Sequence, residues 1–259
     1  YGPQDPQLTV TASKLLNANT DRTKQPHHYI DLRTNPDVKV NGNVLTYPLR
    51  PVTAEAPGTY TLALRAVLGS DAIQQIMKFS DIQIGIATVE MPVVTKSQCA
   101  ACHEGTISGK IYLAHVDPGR SPTGSFALDL EPVKSCKSCH NNDGYASYTD
   151  ATGTRIVDHI VNRAHGIHMG EELKSNASTN AVNGAIRDYI HVVFPADVRD
   201  CTKCHVDDRW KTDPSRMACG SCHDNVWFGT SATLPAGMEI HEGGSQANDT
   251  KCNKCHAPD

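Results

Sequence analysis

The 259-residue chain has 39% hydrophobic and only 5% aromatic residues, lean for a conventional core, and a formal charge of -4 at pH 7. That balance excludes a polybasic nucleic-acid binder, and no run approaches the roughly 20 apolar residues of a membrane span, so a soluble chain is expected. It opens on Tyr1-Gly2-Pro3-Gln4-Asp5-Pro6, which is no signal peptide; one is expected to have been processed away or to lie outside this sequence.

Residues 1–95 contain no Cys, and their only His residues are His27 and His28. Asn35-Pro36, Asn41-Gly42 and Pro57-Gly58 punctuate this region as turns. The segment 59–68 alternates as a strand, with Tyr60, Leu62, Leu64, Ala66 and Leu68 on one face. Residues 72–78 suit one or two helical turns, and Ile82, Ile84 and Ile86 repeat the strand period across 81–89. Short strands with such turns predict a β-sandwich or split-barrel, barrel-like N-terminal domain over 1–95.

The composition changes sharply at Cys99. All ten Cys fall into five Cys-x-x-Cys-His units: Cys99-Cys102-His103, Cys136-Cys139-His140, Cys201-Cys204-His205, Cys219-Cys222-His223 and Cys252-Cys255-His256. This is the attachment pattern of c-type haem. The two thiols add across the porphyrin vinyl groups, and the adjacent His supplies the proximal ligand to iron. Zinc sites and disulfides also use paired Cys. Neither has a reason to place His after every second Cys. Five covalent haems are therefore expected in a mostly loop and short-helix pentahaem c-type cytochrome domain over 96–259. Their apolar faces would supply core that aliphatic side chains do not. The best helix candidate is 155–173.

Each iron then needs a second axial ligand. Eight His lie outside the motifs: His27, His28, His115, His159, His165, His168, His191 and His241. Complete bis-histidine ligation, which lowers the potential relative to Met/His, is within their reach. His165 and His168, at i and i+3, share a helix face and suit two neighbouring haems. His115 precedes a Pro118-Gly119 turn, and His241 precedes Gly243-Gly244 just before the last motif. His159 and His191 compete for the fifth distal place, with His159 preferred. Met77 and Met91 lie in the β region, and Met169, Met217 and Met238 read as packing residues.

The stretches His165-Gly166-Ile167-His168-Met169-Gly170-Glu171-Glu172-Leu173, Val193-Phe194-Pro195-Ala196-Asp197-Val198-Arg199-Asp200-Cys201 and Ala218-Cys219-Gly220-Ser221-Cys222-His223-Asp224 resemble the OmcA/MtrC outer-membrane multihaem cytochromes of metal-reducing bacteria. The resemblance covers about 99–259; the β region matches more loosely, through Pro57-Gly58-Thr59-Tyr60-Thr61. It implies a β domain paired with a pentahaem domain, here once where the family usually has two such pairs. It also implies bis-histidine conduits at the cell surface or beyond, passing electrons to minerals, flavins or other cytochromes.

The leading expectation is thus an extracytoplasmic electron-transfer protein rather than an enzyme, without nucleic-acid partners. A self-assembling filament is a variant, resting on the unused His27 and His28. The alternative is a pentahaem reductase of a small molecule, which needs one open iron. All five motifs end in His, which speaks against the Lys-ligated active haem of such enzymes.

Overall fold

The computed structural model describes residues 7–15, 27–49, 53–68, 74–103, 132–137, 140, 147–149, 155–157, 159–174, 180–182, 185–187 and 192–256. The chain divides into two compact units, Tyr1–Leu16 with Pro26–Ser138 and Asn17–Gln25 with Cys139–Asp259.

In the first unit, β1 (Gln7–Lys14), β2 (His27–Asp31), β5 (Gly58–Leu68) and β6 (Gln74–Ile84) form one antiparallel sheet in the order β2-β1-β5-β6. A separate ribbon pairs β3 (Lys39–Asn41) with β4 (Val44–Thr46). The Asn41-Gly42 signal makes this ribbon's turn, with Gly42 at φ 57°, a conformation that costs glycine little. Asn35-Pro36 also turns: Val38 N–H donates to the Asn35 carbonyl at 3.2 Å, and Asp37 N–H to Asn35 Oδ1 at 2.9 Å. The region is β-rich as expected, but the main sheet is open, and no closed barrel occurs among the described residues.

Two expectations in this region are corrected. Residues 72–78 form no helical turn in their described part; Gln74 onward belongs to β6, paired with β5 from Leu68↔Gln74 to Gly58↔Ile84. A long hairpin partner satisfies every second backbone group at once, which overrides a weak local helix signal. The strand then ends at Ile84, short of 89, where Gly85 takes φ 66°.

The faces of β5 also differ from a simple apolar-inward pattern. Thr59, Tyr60 and Thr61 are all buried, followed by Ala63 and Arg65, whereas Leu64 is 37% exposed. Buried hydroxyls need partners, and these have them. Thr59 Oγ1 donates to Gln83 Oε1 at 2.8 Å, and Thr61 Oγ1 to Asp81 Oδ1 at 3.0 Å. Thr59 N–H donates to Glu90 Oε2 at 2.9 Å, and Glu90 N–H returns a bond to Thr59 Oγ1 at 2.8 Å. Lys14, 2% exposed, completes the cluster 3.5 Å from the Glu90 carboxylate.

The second unit is short helices and loops. The helix expected over 155–173 occupies only Ile160–Met169. Arg155–Val157 is instead a strand paired with Ser147–Thr149. Past Met169 the chain tightens into a 3-10 turn, Gly170–Glu172. Gly170 enforces that change: its φ is 50°, and a Cβ there would strike the Val192 carbonyl. The 160–169 helix packs on the helix Arg216–Cys222, where Ser221 Oγ donates to Asn162 Oδ1 at 3.0 Å.

Candidate metal centres

Wherever the Cys-x-x-Cys-His units are described, they fold as helical turns. Cys99, Cys102 and His103 end the helix Lys96–His103, and Cys136 lies on the helix Pro132–Lys137. In the last three units the His N–H closes back on the first Cys carbonyl: His205 on Cys201 at 2.9 Å, His223 on Cys219 at 2.8 Å, His256 on Cys252 at 3.1 Å. A turn closed from i to i+4 brings positions i, i+3 and i+4 to one side. Those positions are the two thiols and the imidazole. Local caps start these turns: the Asp200 side chain accepts from Thr202 N–H at 3.2 Å, and Ser215 Oγ from Ala218 N–H at 3.2 Å.

Two motif histidines face a second imidazole. The His165 and His205 ring centroids lie 6.2 Å apart with an interplanar angle of 11°; those of His241 and His256 lie 6.0 Å apart at 50°. Imidazole–metal bonds of about 2.0–2.1 Å, with about 1.1 Å from each nitrogen to its ring centre, set two axial imidazoles about 6.2–6.4 Å apart. The His165–His205 separation would suit two imidazoles holding one metal ion, and that of His241–His256 falls about 0.2 Å short of it.

The electrostatics fit a ligand role. Burial first, then His205 and His168, push the His165 pKa down to about 4 against a weak opposing pull from the Val161 carbonyl. Burial lowers His205 as well; Asp207 opposes this and Arg209 adds to it. Both rings are thus neutral near pH 7, the form that binds a metal. His165 Nδ1 and His205 Nδ1 are also buried without a hydrogen-bond partner. His168 Nδ1 donates to the Ala164 carbonyl at 2.7 Å and His241 Nδ1 to the Gly244 carbonyl at 3.2 Å. Such a bond leaves Nε2 bare and aimed, as second-shell partners of metal-binding imidazoles do.

The remaining expected residues are distributed differently. His159 stands at the N-cap of the 160–169 helix with extended backbone, φ -60° and ψ 141°, rather than on it. It adjoins the second motif, because Ile160 N–H donates to the His140 carbonyl at 3.3 Å. His140 is 7% exposed. His115, His191 and Cys139 lie outside the described residues. His27 and His28 sit on β2 opposite Ser13 and Ala12. No group of three His, Cys, Asp or Glu that could hold a metal ion occurs among the described residues.

The third, fourth and fifth motifs are neighbours. Burial raises the Cys219 thiol pKa, with Cys252 next in effect; burial raises that of Cys222, followed by Cys219 and Cys201. Sequence reasoning missed two aromatic partners of distal candidates. Phe194 meets His168 edge-on at 5.4 Å, and Phe228 tilts against His241 at 5.1 Å. The chain has only four Phe, and that scarcity was the available signal. Gly220, between the thiols of the fourth motif, leaves room for Phe228, whose Cε2 would lie 3.3 Å from an added Cβ.

A family model described as outer membrane cytochrome MtrC/MtrF-like, domains II/IV, matches residues 92–259. Comparison with curated proteins finds no match.

Proposed function

The chain belongs to the MtrC/MtrF-like outer membrane cytochromes, and we propose that it relays electrons through five bis-histidine c-type haems towards extracellular acceptors. Membership implies c-type haem, electron transfer and an extracytoplasmic setting; no described helix is long and apolar enough to cross a membrane. The observation that carries the finer reading is an imidazole beside a motif His at about the spacing that one iron would need, at His165–His205 (6.2 Å) and, slightly closer, at His241–His256 (6.0 Å).

Bound haem supplies the reversible ferric/ferrous couple. The chain's residues do the rest. Cys99, Cys102, Cys136, Cys139, Cys201, Cys204, Cys219, Cys222, Cys252 and Cys255 hold the porphyrins as thioethers. His103, His140, His205, His223 and His256 are the proximal ligands. His165 opposes His205, and His241 opposes His256. His168 serves a neighbouring iron, with His115 and His159 completing the set and His191 the substitute for His159. The redox region runs from 96 to 259 behind a β region of 1–95, a division that the start of the family match at 92 supports.

The visible spectrum of the dithionite-reduced protein, taken before and after adding carbon monoxide, tests this. A closed set of five irons gives no change. A shift in about one haem of five exposes an open iron and favours small-molecule reduction, since an electron carrier needs no vacant coordination position.

A further inference from the structure

Arg216 opens the helix that carries Cys219 and Cys222, three residues before the first of them; Asp249 stands three residues before Cys252. The two are bonded to each other. Arg216 N–H donates to Asp249 Oδ1 at 2.8 Å, and Arg216 Nε to the same oxygen at 3.0 Å. A third donor, the Arg216 η1 nitrogen, reaches the Gln246 carbonyl at 3.0 Å. The Asp249 side chain is 2% exposed and that of Arg216 18%, so the charges face each other with little water between. The Asp249 carbonyl meanwhile accepts from Cys252 N–H at 3.3 Å, which starts the last attachment turn. One residue therefore holds two adjacent attachment turns, through its side chain and its main chain.

We propose that Arg216 and Asp249 are a positioning pair that locks the fourth and fifth haem-attachment turns together and holds the potentials of those two haems as a matched set. The proposal rests on the multihaem reading above. Two physical effects follow from the pair. The planar guanidinium fixes geometry, because its donors suit one orientation of the partner oxygen. The paired charges also cancel. Replacing one changes the net charge beside the two attachment turns, where screening is weaker than in water. A net gain of positive charge there favours the reduced, less positive state, and a net gain of negative charge the oxidised one. A purely structural strut would show no such dependence on sign.

Potentiometric titration of the full-length holoprotein at pH 8, with attached haem counted by intact mass, tests the proposal. Asp249→Asn should move two of the titrating components to more positive potentials, and Arg216→Gln should move two to more negative potentials, with the others unmoved. Shifts of one sign in both variants, equal shifts in every component, or no shift overturn it. If a single variant loses attached haem, Arg216→Lys decides, since it keeps the charge and loses the planar fork. Wild-type potentials with altered magnetic coupling between two ferric centres then support the pair, and unaltered coupling overturns it. Wild-type protein with no covalent haem overturns the multihaem reading itself, an outcome distinct from all of these.

Discussion

His241 and His165 both face a motif His, yet their rings are held differently. His241 Nδ1 is tied to the Gly244 carbonyl at 3.2 Å, and its partner His256 is exposed. His165 is half-buried, kept neutral with a pKa of about 4, and its buried Nδ1 lacks a hydrogen-bond partner. Replacing either by Ala should convert one haem of the holoprotein to a high-spin, carbon-monoxide-binding form. Unchanged low-spin spectra in either variant would remove that residue from the ligand set. For His165→Ala the loss should extend to packing, because a half-buried ring is deleted between the 160–169 helix and the third motif. Gly170 gives an independent test of the same neighbourhood. Gly170→Ala combines a positive φ with a collision against the Val192 backbone, and it should cost about 1–3 kcal/mol in urea unfolding. A neutral result would mean that the turn after Met169 relaxes freely and does not orient His168.

At the scale of elements, the sheet grips the helix Pro132–Lys137 by two lysines. Lys134 Nζ lies 2.5 Å from Asp81 Oδ2, and Lys137 Nζ donates to the Leu15 carbonyl at 2.7 Å. Burial first, then the neighbouring Lys14, lower the Lys137 pKa from 10.5 to about 7, with Glu90 opposing. Below about pH 7 both folded and unfolded chains hold this proton, and the burden on stability is complete. Between about 7 and 10.5 the unfolded chain alone holds it, so stability should rise with pH through that window. Lys137→Met removes the titrating group, so the wild-type minus variant difference in urea midpoint, followed through the sheet signal, should climb from pH 7 to pH 10. A flat difference would show that Lys137 is solvated enough to keep its ordinary pKa.

The same elements show what the sequence makes legible. The β5 alternation and the Asn41-Gly42 turn are visible because they depend on neighbours one to three residues away. β6 is hidden because its 74–80 portion is specified by its partner, and the buried Thr59 and Thr61 because their cross-strand bonds are non-local. The attachment turns are legible as motifs for the same local reason. Which imidazole faces which motif is not: His165 meets His205 across forty residues of chain. The Arg216–Asp249 pair is equally invisible until the two turns are brought side by side.

At the scale of the molecule, the distribution of apolar core divides the two units. Among the described residues, Leu15, Leu32, Tyr60, Ala63 and Ile84 are the buried hydrophobics of the sheet unit, whereas the second unit contributes only Leu173. The described part of the second unit thus has little buried apolar surface to set against its conformational entropy. The α-helices described there are short: Ile160–Met169 has ten residues, and Arg209–Thr212, Arg216–Cys222 and Cys252–Cys255 are each two turns or fewer, all below the length at which isolated helices persist. On the proposed reading, covalent porphyrin would fill that deficit with large apolar faces, so binding free energy would become folding free energy for this unit. Chain produced without haem attachment should therefore be cut first within 139–256 under limited proteolysis, with the β1, β5 and β6 segments persisting longer. Circular dichroism should lose the helical signal and retain the strand signal. Even protection of both units, or a helical signal equal to that of the holoprotein, would mean that the loop-rich unit carries a core of its own and that haem is accommodated by a fold already made.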